Sequence, residues 1–266
     1  MTLESEEKLK EFFSHFTGAR QALLMLDYDG TLAAFRVDRF TARPWAGVRE
    51  LLNRIQSQKR TRLVFVTGRP PREILPLLAL ERPVEVWGLH GAERLYPDGR
   101  SELDHLLPGA RARLDDLTEA LRRDAIGGLF ESKPNAVVMH WRGASRQKAR
   151  EVEARTRVLF EPAAKTEGLR LLEFESGLEL RAGRDKGDAV AAVFEEMKAG
   201  AAEEFPAAYL GDDFTDEAAF GVMNGASGSH LSVLVKRKWR ETAAEVWLKP
   251  PAELRAFLAR WLAAAR

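Results

Sequence analysis

Short apolar runs alternate along this chain with stretches in which apolar residues recur every three or four positions. The runs ALLMLD (22–27), LVFVT (63–67), VEVW (84–87), AAYLG (207–211) and LSVLV (231–235) are near-continuous and of strand length. Parallel strands buried on both faces read this way. Between them, Val48, Leu51, Leu52 and Ile55 recur at helical spacing, as do Val190, Val193, Phe194 and Met197. Leu254, Phe257, Leu258 and Trp261 form another such stripe, and Leu9, Phe12, Phe13 and Phe16 precede the first strand as a fourth. Each stripe is a core-facing helix face, and its aromatic members are packing residues rather than a cofactor box. Strands alternating with helices predict a parallel α/β sheet with right-handed crossovers.

The pattern changes between residues 104 and 182. Here the order is helix (109–123), strand pair (129–133 with 136–141), helix (145–160), strand pair (169–174 with 178–182). The connections Lys133-Pro134-Asn135 and Glu175-Ser176-Gly177 are hairpin-like. The expectation is a two-part protein with a cleft: an α/β core over 1–103 and 183–266, and an inserted α+β domain over 104–182.

Composition narrows the chemistry. The 266 residues hold no cysteine, so disulfides, thiolate metal sites and cysteine nucleophiles are excluded. Lys and Arg total 41 against 40 Asp and Glu, a balance that lacks the basic excess of nucleic-acid binders. No apolar run approaches the ~20 residues of a membrane span. The opening MTLESEEKLK does not read as a signal peptide, so the cytoplasm is the expected location.

Chemistry-bearing residues gather at strand ends, where parallel sheets bind ligands. The first run delivers Asp27-Tyr28-Asp29-Gly30-Thr31. Two carboxylates so close repel one another unless a cation or a proton is shared. A calcium loop of EF-hand type uses Asp-x-Asp but needs glycine at its sixth position and flanking helices, whereas Gly30 comes fourth and a strand precedes it. A polar strand-end turn is one remaining reading, and a phosphoryl-transfer site with a carboxylate nucleophile is the other. The second run ends in Thr67-Gly68-Arg69 before a helix start marked by Pro70 and Pro71, a hydroxyl and free N–H groups suited to phosphate, or an ordinary turn. Lys186 opens a helix, where an ammonium is mildly unfavourable unless an acidic cluster or anion is near. After AAYLG come Asp212, Asp213, Asp216 and Glu217; capping needs one acid, not four.

These four segments, in this order, resemble the motifs of the haloacid dehalogenase (HAD) superfamily. The resemblance implies a Rossmann-like HAD core with an inserted α+β cap. It also implies Asp27 as nucleophile, Asp29 as general acid/base, Thr67 as motif-two hydroxyl and Lys186 as stabiliser of the transferring group. Mg2+ would be held by Asp27, the Asp29 carbonyl and Asp212, with Asp213 and Asp216 as direct or outer ligands. Further segments narrow the likeness: Gly-Asp-Asp-x-Thr-Asp-Glu (211–217), GLHGAE (88–93), FESKPNAVVMHWR (130–142) and LELRAGRDKG (178–187). With the C-terminal ETAAEVWLKPPAELRAFL, they are similar to the trehalose-6-phosphate phosphatase family over about residues 20–262. Motif two in that family commonly carries serine; Thr67 keeps the hydroxyl.

On a strand, Glu131 and Lys133 share a face, as do His140 and Arg142. A solvated charged sheet face would read the same way. The resemblance implies instead that Glu131, Lys133, Arg142 and Glu179 bind the distal sugar, while Gly68, Arg69, His90 and Glu93 serve the substrate pocket. The implied activity is Mg2+-dependent hydrolysis of trehalose 6-phosphate through an aspartyl-phosphate, in a monomer with a separate synthase in its pathway. Sucrose, mannosylglycerate and glucosylglycerate phosphatases are the alternatives with a similar core. A catalytically silent sugar-phosphate sensor would have lost a motif carboxylate or the motif-three lysine, and neither is lost.

Overall fold

In a computed structural model, strand β1 (Ala22–Leu26) lies at the centre of an eight-stranded sheet. The structure describes residues 3–265 except 17, 18, 37, 124–128, 142 and 175. The other strands of this sheet are β2 (Thr61–Val66), β3 (Glu85–Gly88), β4 (Glu93–Leu95), β5 (Ser101–Leu103), β10 (Ala207–Gly211), β11 (His230–Val235) and β12 (Val246–Leu248). Their order is β12-β11-β10-β1-β2-β3-β4-β5, parallel from β12 to β3 and antiparallel across β3, β4 and β5. The strand order reverses at β1, the switch point where doubly wound sheets open a ligand crevice. Asp27 follows that strand directly, its N–H donating to Leu210 O at 2.9 Å.

The strands are apolar on both faces because both are covered. Leu24 and Leu26 face α1 (Leu3–Ser14), α2 (Val48–Ser57), α3 (Pro71–Leu78) and α8 (Ala252–Ala264). Leu23 and Met25 face α6 (Lys186–Gly200) and α7 (Glu217–Gly225). The stripes expected on these helices are the buried ones: Val48, Leu52 and Ile55; Val190 and Val193; Leu254, Leu258 and Trp261. Each large side chain so buried contributes about 1.5–3 kcal/mol. Strands β4, β5 and β12 escape the pattern because each is three residues long, too short to show an alternation. No helix among the described residues is long and apolar enough to cross a membrane.

Contacts divide the chain into one unit of residues 1–103 and 184–266 and a second of 104–183. The second unit is a four-stranded antiparallel sheet of β6 (Phe130–Lys133), β7 (Ala136–His140), β8 (Leu169–Phe174) and β9 (Gly177–Ala182), in the order β6-β7-β9-β8. Helices α4 (Pro108–Arg123) and α5 (Arg146–Ala163) complete it. Val137, Met139, Leu178, Leu180 and Leu169 share one sheet face and pack with Leu114, Leu117, Leu121 and Phe160 of the helices. The opposite face carries the alternate positions, where Glu131, Lys133, Glu179 and Arg181 stand with Ala136 and Val138 of the strand between them.

Candidate active site

The four motif segments converge at the carboxyl ends of β1, β2 and β10 and the start of α6. Asp27 is 3% exposed. Its Oδ1 accepts from Lys186 Nζ at 2.8 Å and its Oδ2 from Thr31 Oγ1 at 2.9 Å. One oxygen is thus fixed by an ammonium and the other by a hydroxyl four residues on, so the carboxylate has a single orientation. Lys186 is buried too and reaches Asp216 Oδ1 at 2.7 Å. Its place in the first turn of α6 is set by a capping box. Asp185 accepts from the Asp188 N–H, and the Asp188 carboxylate accepts from the Asp185 N–H. The two carboxylates beyond the helix end offset the dipole objection to a lysine there.

Asp216 is fully buried and saturated. Oδ1 accepts from Lys186 and from Tyr209 Oη (2.5 Å), and Oδ2 accepts from the N–H groups of Asp212 and Asp213, each at 2.9 Å. A carboxylate with two donors on each oxygen holds the motif-four turn in shape. The Asp213 side chain accepts from the Phe214 N–H at 2.7 Å and so caps the short 3-10 turn Phe214–Asp216. Of the acidic run, Asp212 is the residue left for ion binding: its Oδ1 is buried with no hydrogen-bond donor among the described residues. A Cβ on Gly30, whose φ is +85°, would lie 2.1 Å from Asp212 Oδ2, so only glycine lets the first and fourth motifs approach this closely.

Electrostatics follow from this crowding. Ligand oxygens of Asp27, Asp212 and Asp216 lie within 4.8 Å of one another. Burial, opposed by Lys186 and assisted by Asp216 and Asp29, pushes the Asp27 carboxyl up to about 7. Burial, with Asp27 and Asp216 adding repulsion, holds Asp212 well above the ordinary range. For Lys186, burial favours loss of the proton, but Asp216 and Asp27 outweigh it and keep the ammonium charged. Three buried carboxylates around one buried ammonium have a negative surplus that suits a divalent cation. Oxygen-only donors with an orphaned Asp212 oxygen fit magnesium.

Asp29 is held differently. Arg69 Nε donates to its Oδ2 and Nη2 to its Oδ1, both at 2.5 Å. Thr67 is buried, and its Oγ1 accepts from the Arg69 N–H at 3.2 Å. Gly68 lies against His90: a Cβ there would come within 2.6 Å of the imidazole. His90 therefore stands beside the second motif, and its N–H donates to Thr67 O at 2.8 Å. Glu93 instead begins β4 and accepts from Ser101 Oγ at 3.2 Å on the neighbouring β5. In the second unit, Glu131, Val138 and Glu179 are in register across three strands, as are Lys133, Ala136 and Arg181. His140 Nε2 lies 3.7 Å from Glu131 Oε2. Arg142 lies outside the described residues.

Residues to which the sequence patterns gave no role complete the site. Thr31 and Tyr209 orient Asp27 and Asp216. Lys236 Nζ lies 3.3 Å from Asp212 O and 3.4 Å from its Oδ2. Arg240 donates to the carbonyls of Asp212 and Asp213 and pairs with Glu217. Thr242 Oγ1 and the Ala243 N–H also donate to Glu217, so this fourth acid clasps the loop after β11. A signal was present: Lys236 directly follows an apolar run at a strand end, the position that supplied the first, second and fourth motifs.

A doubly wound sheet with a carboxylate at its switch point, a buried lysine and an acidic strand end defines a hydrolase fold of the haloacid dehalogenase type. A HAD-like hydrolase from B. subtilis shares that fold at a TM-score of 0.53 and 16% identity, over 81% of this chain and 89% of that one. Within the class, the trehalose-phosphatase family profile matches residues 25–249, and the chain belongs to that family. It is 30% identical over 254 residues to the trehalose-phosphate phosphatase of Mycolicibacterium paratuberculosis, covering 91% of this chain. It spans 62% of that relative's length. A solved trehalose-6-phosphate phosphatase related protein is 25% identical with a TM-score of 0.68, over 90% of this chain and 96% of that one.

Proposed function

We propose that this protein hydrolyses trehalose 6-phosphate to trehalose and phosphate through an aspartyl-phosphate on Asp27. The observation that carries the reaction is the buried Asp27–Lys186–Asp216 array: a carboxylate fixed by a lysine and a hydroxyl, with its charge opposed by burial. A desolvated carboxylate held in one orientation is a competent nucleophile. The family match over residues 25–249 supports the choice of sugar.

In the first step an Asp27 oxygen bonds to phosphorus as the bond from phosphorus to the sugar oxygen breaks. Asp29 gives its proton to that departing oxygen. In the second step Asp29, now ionised, takes a proton from water. The water oxygen bonds to phosphorus, the bond from Asp27 to phosphorus breaks, and phosphate leaves. Lys186 offsets charge at Asp27 throughout, and the Thr67 hydroxyl stands ready for a phosphoryl oxygen. Magnesium, held by Asp27, the Asp29 carbonyl and Asp212, would supply positive charge against the phosphoryl oxygens. We assign the polar sheet face of residues 104–183 to the sugar, with Glu131, Lys133 and Glu179 as hydrogen-bond partners for hydroxyls.

The test is phosphate release with Mg2+ across trehalose 6-phosphate, sucrose 6-phosphate, glucose 6-phosphate, mannosylglycerate phosphate and p-nitrophenyl phosphate. Asp27→Asn and EDTA-treated protein are the controls. A large preference in kcat/KM for trehalose 6-phosphate is expected. Preference for another sugar ester would retain the chemistry and remove the sugar assignment.

A further inference from the structure

We infer that Arg69 is the positioning residue for the acid/base carboxylate Asp29, rather than a ligand for substrate phosphate. The inference rests on the phosphatase reading above and adds a role that the sequence motifs do not assign. The guanidinium meets Asp29 as a parallel fork, Nε to Oδ2 and Nη2 to Oδ1, both at 2.5 Å. Nη1 donates to the Arg39 carbonyl at 2.7 Å, and the guanidinium carbon stands 5.7 Å from the centre of the Tyr28 ring. That ring is itself fixed, fully buried with its hydroxyl donating to Ala42 O at 2.5 Å. Arg69 is 7% exposed, so the fork is a built feature and not a surface ion pair.

The consequence is geometric. A planar fork sets the plane of the carboxylate it holds, which a lysine ammonium does not do. Asp29 lies three residues beyond the end of β1 and borders the φ +85° turn at Gly30, and the fork from Arg69 holds both of its carboxylate oxygens. Three of the five guanidinium N–H groups already have partners: two on Asp29 and one on the Arg39 carbonyl. A phosphate arriving at this residue would have to break the fork to be bound by it in the same way.

Leaving-group dependence tests the assignment. A sugar oxygen is a poor leaving group and needs the proton from Asp29; p-nitrophenolate departs without one. Because kcat/KM ends at leaving-group departure, Arg69→Ala should lower it about 100-fold or more for trehalose 6-phosphate and by less than about threefold for p-nitrophenyl phosphate. The aryl substrate should then show a burst of nitrophenol, since water activation in the second step also needs Asp29. Guanidinium chloride added at millimolar concentration should recover part of the sugar-phosphate rate in Arg69→Ala. Arg69→Lys, which keeps the charge and loses the fork, should show the same substrate split, and serves if the alanine variant does not fold. An equal fall for both substrates in a folded variant overturns the inference, because phosphate binding or general disruption would affect both. The native enzyme run alongside separates the two failures. If it turns over no sugar phosphate, the phosphatase reading and this inference fall together; if it is active and the variants show no split, only the Arg69 assignment falls.

Discussion

The motif cluster of the core and the polar sheet face of the inserted unit are both charged, but they are built on different rules. In the core, each side chain has a fixed set of partners: Asp216 has two donors on each oxygen, and Lys186 bridges two carboxylates. On the inserted sheet, charge follows from strand alternation alone, with Glu131, Lys133, Glu179 and Arg181 at every second position opposite an apolar face. The first arrangement fixes a reaction centre and leaves little room for substitution. The second sets Glu131, Lys133, Glu179 and Arg181 on one sheet face, with Glu179 and Arg181 buried, and donors and acceptors in register there suit sugar hydroxyls.

The largest effect should come from removing the nucleophile. Asp27→Asn should lower turnover by more than about 10³-fold. Its melting temperature should be unchanged or higher, because burial already disfavours the charge that the substitution deletes. Turnover near the native level would sink the nucleophile assignment. Next, Lys186→Met leaves Asp27 and Asp216 buried without their ammonium and should cost about 3–5 kcal/mol in urea unfolding. Lys236→Met, at a side chain 33% exposed, should cost less than about 1 kcal/mol. Similar losses for the two would erase the distinction between a saturated and a peripheral cation.

A smaller effect concerns pH and metal. Asp27 is raised to about 7 and Asp212 is raised above its ordinary range, so between pH 4 and 7 the native state holds protons that the unfolded chain releases. This contribution to stability is present at low pH and is lost as pH rises through about 7. Metal-free protein should therefore melt several degrees lower at pH 8 than at pH 5.5, and Mg2+ should raise the melting temperature more at pH 8. A Mg2+ effect confined to pH 5.5 would contradict the acidic cluster as its site. The smallest effects belong to the inserted sheet: Glu131→Gln and Glu179→Gln should raise KM for trehalose 6-phosphate about tenfold while leaving p-nitrophenyl phosphate kinetics unchanged. Parallel losses on both substrates would place these residues in the fold rather than in sugar recognition.

How much of this could be read from the chain differs by region. The five parallel strands were legible because burial on both faces leaves a continuous apolar run, and the helices because each buries one stripe. The strands of the inserted unit were legible through the hairpin-like connections that pair them. Strands β4, β5 and β12 were not, since three residues carry no period. In the site, Asp27, Asp29, Lys186 and Asp212 stood out because acids and a lysine at strand ends and a helix start are costly without a partner. Arg69 stood out as part of a strand-end turn, but its fork to Asp29 spans 40 residues and left no mark in local pattern.

The sequence by itself determined the layered α/β core, the inserted α+β segment and the strand ends at which the carboxylates fall, because periodicity and turn chemistry are local properties of the chain. Only the tertiary structure decided how the carboxylates divide their work. It saturated Asp216 with Lys186, Tyr209 and two backbone N–H groups, left an oxygen of Asp212 without a donor among the described residues, and clasped Asp29 in Arg69. The physical reason is that hydrogen-bond capacity is shared among groups brought together from distant segments, and which oxygen remains open depends on every donor that packs around it.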